Sequence, residues 1–163
     1  MRVFIAIDLP LAIRNKLAEI QDQLSLTLPK INWVAASNLH LSVKFLGEIT
    51  AAQLRNTQQI IQQTVKSSLA FEIRLESLGC FPNLQQPRII WIGTHQPPIE
   101  LRQLVNRIET DLYAIGLAKE KRIFQAHISL GRMKNYLRNE IRKENLKNIN
   151  NALRVAQLKF KVR

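Results

Sequence analysis

The fold of this chain is decided by the stretch LHLSVKF at residues 39–45, because the stretch AHISLGR at residues 126–132 repeats its pattern. Both read histidine, apolar residue, serine, apolar residue, and both alternate as a β-strand with one buried face does. Each histidine therefore shares a strand face with the serine two positions later. The same alternation assigns Lys44 to the histidine face and Phe45 to the buried face.

Two such strands that pair around a pseudo-twofold axis would bring their polar faces together across a cleft. We expect the cleft to hold two imidazoles, two hydroxyls and one guanidinium, contributed by His40, His127, Ser42, Ser129 and Arg132. The ordinary pKa of imidazole is about 6.5, so one ring can be neutral and the other protonated at neutral pH. Hydroxyls and an arginine fork suit phosphate oxygens. The repeat therefore predicts general acid–base chemistry on a phosphate ester.

The third histidine, His95, has no serine two positions later, and we expect it to be an ordinary surface residue. Metal binding is the competing interpretation of the other two. A metal site needs three or four convergent ligands, but the sequence contains no His-x-His, HExxH or CxxC pattern. The pattern favours a site that needs no metal and no cofactor.

The other periodic segments predict ten elements, in the order strand, helix, strand, helix, strand, strand, helix, strand, helix, strand. The predicted strands span residues 2–8, 39–46, 71–78, 88–93, 124–131 and 152–162, and Trp33-Val34 is a short extended segment. The predicted helices begin at about residues 10, 51, 97 and 137, and Gly116 is expected to end the third. Long alternating strands favour an α+β fold with mostly antiparallel sheet flanked by helices.

The chain has 163 residues, the size of one domain, and we treat residues 1–163 as a single domain. No stretch approaches the ~18 apolar residues of a membrane span. The one cysteine, Cys80, cannot form an internal disulfide, which fits a reducing compartment. We therefore expect a cytoplasmic protein that is monomeric and has no membrane segment.

Positive charge is concentrated in the C-terminal part of the chain. Residues 1–80 carry 8 Lys and Arg against 6 Asp and Glu, whereas residues 119–163 carry 13 against 3. This distribution favours a polyanionic partner, with nucleic acid first. The alternative is a solvated basic face that serves only solubility.

At these residues the chain resembles the two-histidine phosphoesterase superfamily, and more narrowly the bacterial and archaeal RNA 2',3'-cyclic phosphodiesterases, also described as RNA 2'-5' ligases. The resemblance covers residues 2–132 in order. It rests on RVFIAI at 2–7 with Leu9-Pro10, WV at 33–34 with NLHLS at 38–42 and FLG at 45–47, residues 79–93, and FQAHISLGR at 124–132.

The resemblance implies a bilobed fold with pseudo-symmetric lobes around a central cleft. It implies metal-independent hydrolysis of RNA 2',3'-cyclic phosphate ends to 2'-phosphate ends. In that reaction His127 would activate water, His40 would protonate the 3' oxygen, and Ser42, Ser129 and Arg132 would hold the phosphate.

Three departures from the family pattern accompany the resemblance. Serine stands in both motifs where threonine is commoner, Ala126 stands where proline is usual, and Gly131 replaces a usual alanine. Family members usually continue past the final strand into a further hairpin, whereas this sequence stops at Arg163, so either the chain is trimmed or this member is short.

Other functions remain open from the sequence. The same residues could run the reverse reaction, which joins RNA ends through a 2'-5' linkage, or act on 2'-5' oligonucleotides or small cyclic nucleotides. A non-catalytic basic RNA-binding module would leave the paired motifs unexplained.

Overall fold

The computed structural model describes residues 2–28, 31–83, 86–133 and 158–163. The strands in these ranges are β1 (Arg2–Asp8), β2 (Ile31–Trp33), β3 (His40–Glu48), β4 (Phe71–Arg74), β5 (Ser77–Phe81), β6 (Ile89–Gly93), β7 (His127–Met133) and β8 (Lys159–Val162). The α-helices are α1 (Leu11–Thr27), α2 (Ala51–Lys66) and α3 (Ile99–Ala114). The helix predicted over residues 137–149 and the first part of the strand predicted over 152–162 lie outside the described residues.

The helix ends follow local sequence signals. The Thr50 side chain accepts a hydrogen bond from the Gln53 backbone N–H at 3.2 Å, and the Gln53 side chain accepts one from the Thr50 N–H at 3.0 Å. This capping box satisfies two donors that the start of α2 would otherwise leave unpaired. Beyond α3, Gly116 adopts a φ of +86°, a left-handed conformation that glycine reaches without strain.

One sheet carries most of the fold, with its strands in the order β1-β3-β7-β6-β5 and with β2 also paired to β7. All of its pairings are antiparallel. A strand–helix–strand unit occurs twice, as β1-α1-β3, in which the short β2 lies between α1 and β3 along the chain, and as β6-α3-β7. The two units meet where β3 pairs with β7, as expected for two pseudo-symmetric lobes. The α+β prediction is confirmed.

The core lies between the sheet and the helices. Leu41 on β3 and Ile128 on β7 are fully buried, as are Leu17 on α1 and Leu101 on α3. These residues belong to one continuous apolar cluster, so both units share a single core. No helix in the described part of the chain has the length and apolarity that crossing a membrane requires.

The prediction of one continuous strand over residues 71–78 is wrong, because two strands, β4 and β5, occupy this stretch. β4 pairs with β8 in a separate two-stranded sheet, whereas β5 pairs with β6 in the main sheet. The Leu75 N–H donates to the Leu158 carbonyl at 2.8 Å, and the next residue, Glu76, donates to the Gly93 carbonyl at 3.0 Å. The chain therefore changes sheets between Leu75 and Glu76. Alternating burial continues through this crossing, so alternation cannot reveal it.

Candidate active site

A β-bulge interrupts β3 directly after the first histidine motif. In the ladder with β1, Ile5 pairs with Lys44 and Ala6 pairs with Ser42, which leaves Val43 as the extra residue. A bulge sets two residues against one and shifts the alternation of the strand by one position. Val43 and Lys44 are consequently both buried.

The same bulge occurs at the same place in β7. The register with β6 skips Leu130, which becomes the extra residue. The Leu130 carbonyl accepts hydrogen bonds from Nε2 of the buried Gln21 at 2.8 Å and from the Val34 N–H at 2.9 Å. Strict alternation would set Arg132 on the face opposite His127. Because of the bulge, the exposed Arg132 lies on the same face as His127.

The prediction that Lys44 shares the histidine face is wrong. Its Nζ lies 2.7 Å from both carboxylate oxygens of Glu109 on α3 and donates to the Ala118 carbonyl at 2.9 Å. The prediction that Phe45 is buried is also wrong, since it is 65% exposed, and its ring centroid lies 5.9 Å from that of Phe4. Both errors have one cause, because the bulge exchanges the faces of the residues that follow it.

Four motif residues emerge together on the face of the sheet away from the core. β3 pairs with β7 at Leu41 and Ile128, and both of these side chains are fully buried. Neighbours along a strand point to opposite faces, so the residues that flank this pair point away from the core. They are His40 and Ser42 on β3 and His127 and Ser129 on β7. The antiparallel register sets each histidine across from the serine of the other strand.

Both imidazoles are held by the backbone in the same way. Nδ1 of His40 lies 2.7 Å from the Asn38 carbonyl oxygen, and Nδ1 of His127 lies 2.7 Å from the Gln125 carbonyl oxygen. A carbonyl oxygen can only accept, so Nδ1 carries the proton in each ring. Nε2 is then the nitrogen available to a substrate, as an acceptor in the neutral ring and as a donor in the protonated ring.

Aromatic side chains surround the two histidines unequally. The Phe4 ring stacks on His40, with centroids 4.8 Å apart. His127 meets the edges of two rings, with centroids 4.8 Å from Phe81 and 6.2 Å from Trp91. Burial lowers the pKa of His127 below its ordinary value, and the hydrogen bond to the Gln125 carbonyl opposes this effect more weakly. The neutral form of His127 is therefore favoured.

Sequence reasoning missed Phe4, Phe81 and Trp91 as neighbours of the histidines. A signal for Trp91 was present, because β6 reads Ile, Ile, Trp, Ile over residues 89–92 and is apolar on both faces. A strand with two apolar faces indicates that both are covered. Phe81 provides such a cover, since its ring centroid lies 5.3 Å from that of Trp91.

Other reactive side chains lie apart from this face or are unreactive. His95 is exposed, as expected. Burial raises the pKa of the Cys80 thiol to about 11, so this thiol stays protonated at neutral pH. In residues 2–28, 31–83, 86–133 and 158–163, no three His, Cys, Asp or Glu side chains come together as metal ligands would.

The site and fold have counterparts in known proteins. An RNA 2',3'-cyclic phosphodiesterase of Archaeoglobus fulgidus is 34% identical over 134 residues, which cover 82% of this chain and 73% of that protein. The Escherichia coli protein of the same name is 33% identical over 141 residues, which cover 79% of this chain and 70% of that protein. The crystal structure of E. coli LigT complexed with 3'-AMP matches with a TM-score of 0.69 at 32% identity, over 80% of this chain and 72% of that one.

A structure from Thermus thermophilus matches with a TM-score of 0.71 at 25% identity, over 82% of this chain and 75% of that one. The fold and the paired histidine strands thus define a two-histidine phosphoesterase. The family model described as LigT-like phosphoesterase matches residues 7–91. The chain belongs to the LigT-like phosphoesterase family.

Proposed function

We propose that this protein hydrolyses RNA 2',3'-cyclic phosphate ends to 2'-phosphate ends without a metal ion. The observation that carries the proposal is the pair of imidazoles on one face, each with Nδ1 bound to a carbonyl and Nε2 free for substrate. The names of the relatives support the choice of a cyclic phosphate as substrate.

We assign the general base to His127 and the general acid to His40. A base must be neutral before the reaction, and the lowered pKa of His127 favours that form. A water molecule loses its proton to His127 Nε2 as its oxygen bonds to phosphorus. The bond from phosphorus to the 3' oxygen breaks, and the 3' oxygen takes a proton from His40 Nε2. The product carries a 2'-phosphate and a free 3'-hydroxyl, and solvent restores the protonation of both rings.

We assign the non-bridging phosphate oxygens to Ser42, Ser129 and Arg132. The two hydroxyls would lie beside the imidazoles, one on each strand. Arg132 can offer two parallel N–H groups, which match two phosphate oxygens and offset charge in the transition state. Such donors make a metal ion unnecessary for charge stabilisation.

The test uses an RNA oligonucleotide that ends in a 2',3'-cyclic phosphate, incubated with the protein in EDTA. We expect turnover to a 2'-phosphate end, identified by its resistance to enzymes that remove only 3'-phosphates. His40→Ala and His127→Ala should lose this activity, and His95→Ala, which changes the exposed histidine, should keep it. A 3'-phosphate product would mean that the 2' oxygen leaves in place of the 3' oxygen and would refute the proposed product. Activity that EDTA abolishes and a divalent ion restores would refute the metal-independent route.

The same incubation with a second RNA bearing a 5'-hydroxyl tests the reverse reaction. A 2'-5' linked product would reveal ligation by the same residues. We further propose that the protein acts as a cytoplasmic monomer. Light scattering behind a sizing column tests the oligomeric state, and a dimer mass would contradict it.

A further inference from the structure

A glutamine interrupts the apolar face of α1. Gln21 lies between Leu17 and Leu24, which are fully buried, and is itself only 6% exposed. Residues three and four apart on a helix share a face, so an apolar residue is expected at this position. A buried amide costs stability unless its hydrogen bonds are made. Nε2 of Gln21 donates to the carbonyl oxygens of Val34 and Leu130, each at 2.8 Å, so both of its protons are used.

The Leu130 carbonyl belongs to the extra residue of the bulge in β7. The register with β6 passes directly from Ser129 to Gly131. A bulge leaves its extra residue without a partner in the ladder. The Leu130 carbonyl is bound instead by two groups of the other strand–helix–strand unit, the Gln21 amide and the Val34 N–H. Gln21 therefore fixes the place at which β7 departs from regular alternation.

The second unit contains an equivalent arrangement. α1 begins at Leu11 and α3 begins at Ile99, each directly after a proline. Gln21 and Glu109 are both the eleventh residue of their helix. Glu109 binds Lys44, which directly follows the extra residue of the bulge in β3. Each helix thus extends one polar side chain to the bulge in the motif strand of the other unit, which indicates that both bulges are built into the fold.

We propose that Gln21 is a positioning residue that keeps Arg132 on the same face as the histidines, an inference that rests on the proposed function. Arg132 follows the bulge, whereas His127 and Ser129 precede it. If the bulge is not fixed, the extra residue can shift along the strand, and the residues beyond it change face. The imidazole and the hydroxyl keep their places under such a shift, but the guanidinium does not.

Loss of the Gln21 amide should therefore weaken the reaction through Arg132 alone. Gln21→Met keeps the length of the side chain and removes both donors. On an RNA oligonucleotide that ends in a 2',3'-cyclic phosphate, we expect this substitution to lower kcat/KM roughly 10-fold, because a misplaced binding group stabilises the transition state poorly. In the Arg132→Ala background, the same substitution should change kcat/KM by less than about 2-fold, because no guanidinium remains to be misplaced. Both limbs of the pH profile should stay in place, because the histidines precede the bulges.

Thr64→Val is the matched control. Thr64 is also a buried polar residue on a helix, and its hydroxyl donates to Asp111 at 3.4 Å, which joins α2 to α3 rather than to a motif strand. Its loss should lower the free energy of unfolding without a change in kcat/KM that depends on Arg132. Urea denaturation shows which variants are folded under the conditions of the assay. Gln21→Leu, which suits the neighbouring leucines, replaces Gln21→Met if the latter does not fold.

The outcomes separate the two proposals. A parent protein that does not hydrolyse the RNA ends refutes the proposed function. With an active parent, a folded Gln21 variant that keeps the parent kcat/KM refutes the positioning role alone, as does an equal fold-loss in the parent and Arg132→Ala backgrounds. Parent kinetics in Arg132→Ala would remove Arg132 from the site, and the role of Gln21 with it.

A second measurement needs no variant. The side-chain amide protons of Gln21 are buried and bound, whereas Gln62 on α2 is exposed. In NMR hydrogen exchange, the Gln21 protons should exchange with solvent at least about 10-fold more slowly than those of Gln62. Equal exchange rates would show that Gln21 does not hold the bulge and would overturn the inference.

Discussion

The Lys44→Met substitution should destabilise the protein strongly, although sequence periodicity places this lysine on an accessible face. In the structure its side chain is 3% exposed and its Nζ contacts both oxygens of Glu109. Methionine keeps much of the volume and removes the charge, which leaves the Glu109 carboxylate without its cation. Breaking a buried ion pair costs about 3–5 kcal/mol. Because the Glu109 side chain is 18% exposed and retains some water, we expect a loss at the lower end of this range, about 3 kcal/mol of unfolding free energy.

Urea denaturation followed by circular dichroism measures this loss, and thermal unfolding provides a second reading. For a chain of this size, 1 kcal/mol corresponds to roughly 2–4 °C, so Tm should fall by roughly 6–12 °C. Lys16→Ala is the matched control. Lys16 also contacts a glutamate, Glu19, at 2.8 Å, but both side chains are more than half exposed. Its loss should change the free energy of unfolding by less than ~0.5 kcal/mol.

A double variant separates the buried charge from simple loss of packing. Lys44→Met combined with Glu109→Gln removes both charges of the buried pair. The glutamine side-chain oxygen can still accept the hydrogen bond from the Glu120 backbone N–H, which the Glu109 carboxylate accepts at 3.2 Å. We expect the double variant to be more stable than Lys44→Met alone by at least ~1 kcal/mol. The reasoning fails if Lys44→Met unfolds within ~1 kcal/mol of the parent, or if the second substitution restores nothing.

Three further predictions concern activity. Phe81→Ala should admit water to His127 and raise the pKa of that imidazole, so the acidic limb of the pH profile of kcat/KM should move to higher pH. An NMR titration of the ring measures the same pKa independently. An acidic limb that stays in place or moves to lower pH would contradict the burial argument. His40→Ala and His127→Ala should each lower kcat by about 10²–10⁴-fold. The loss in the double variant should be far smaller than the two single losses multiplied together, because the two rings act as a unit. A loss equal to that multiplied value would mean that the rings act separately. Arg132→Ala should lower kcat/KM by roughly 10- to 100-fold through lost charge-assisted bonds, while the exposed Arg102→Ala on α3 should not; equal kinetics would remove Arg132 from the site.

The histidine motifs were readable from sequence because the face of a strand residue depends on its immediate neighbours. Leu41 and Ile128 are buried as the alternation predicts, and His40 and His127 emerge opposite them. Alternation fails at Lys44, because a bulge arises from the register with a neighbouring strand. No local pattern marks it, since Val43 and Lys44 would continue an ordinary alternation.

The sequence by itself determined the α+β class, the two histidine strands and the faces that their first residues share. These features depend on periodicity and capping, which act over a few residues. Only the tertiary structure decided which strands pair, where a bulge shifts the register of each strand pair, and which side of the site stays open. The last of these depends on Ala6 and Trp91, which are far apart in sequence but equivalent in space. The methyl group of Ala6 and the indole of Trp91 come to flank the same site only because the sheet places β1 and β6 on either side of the paired histidine strands.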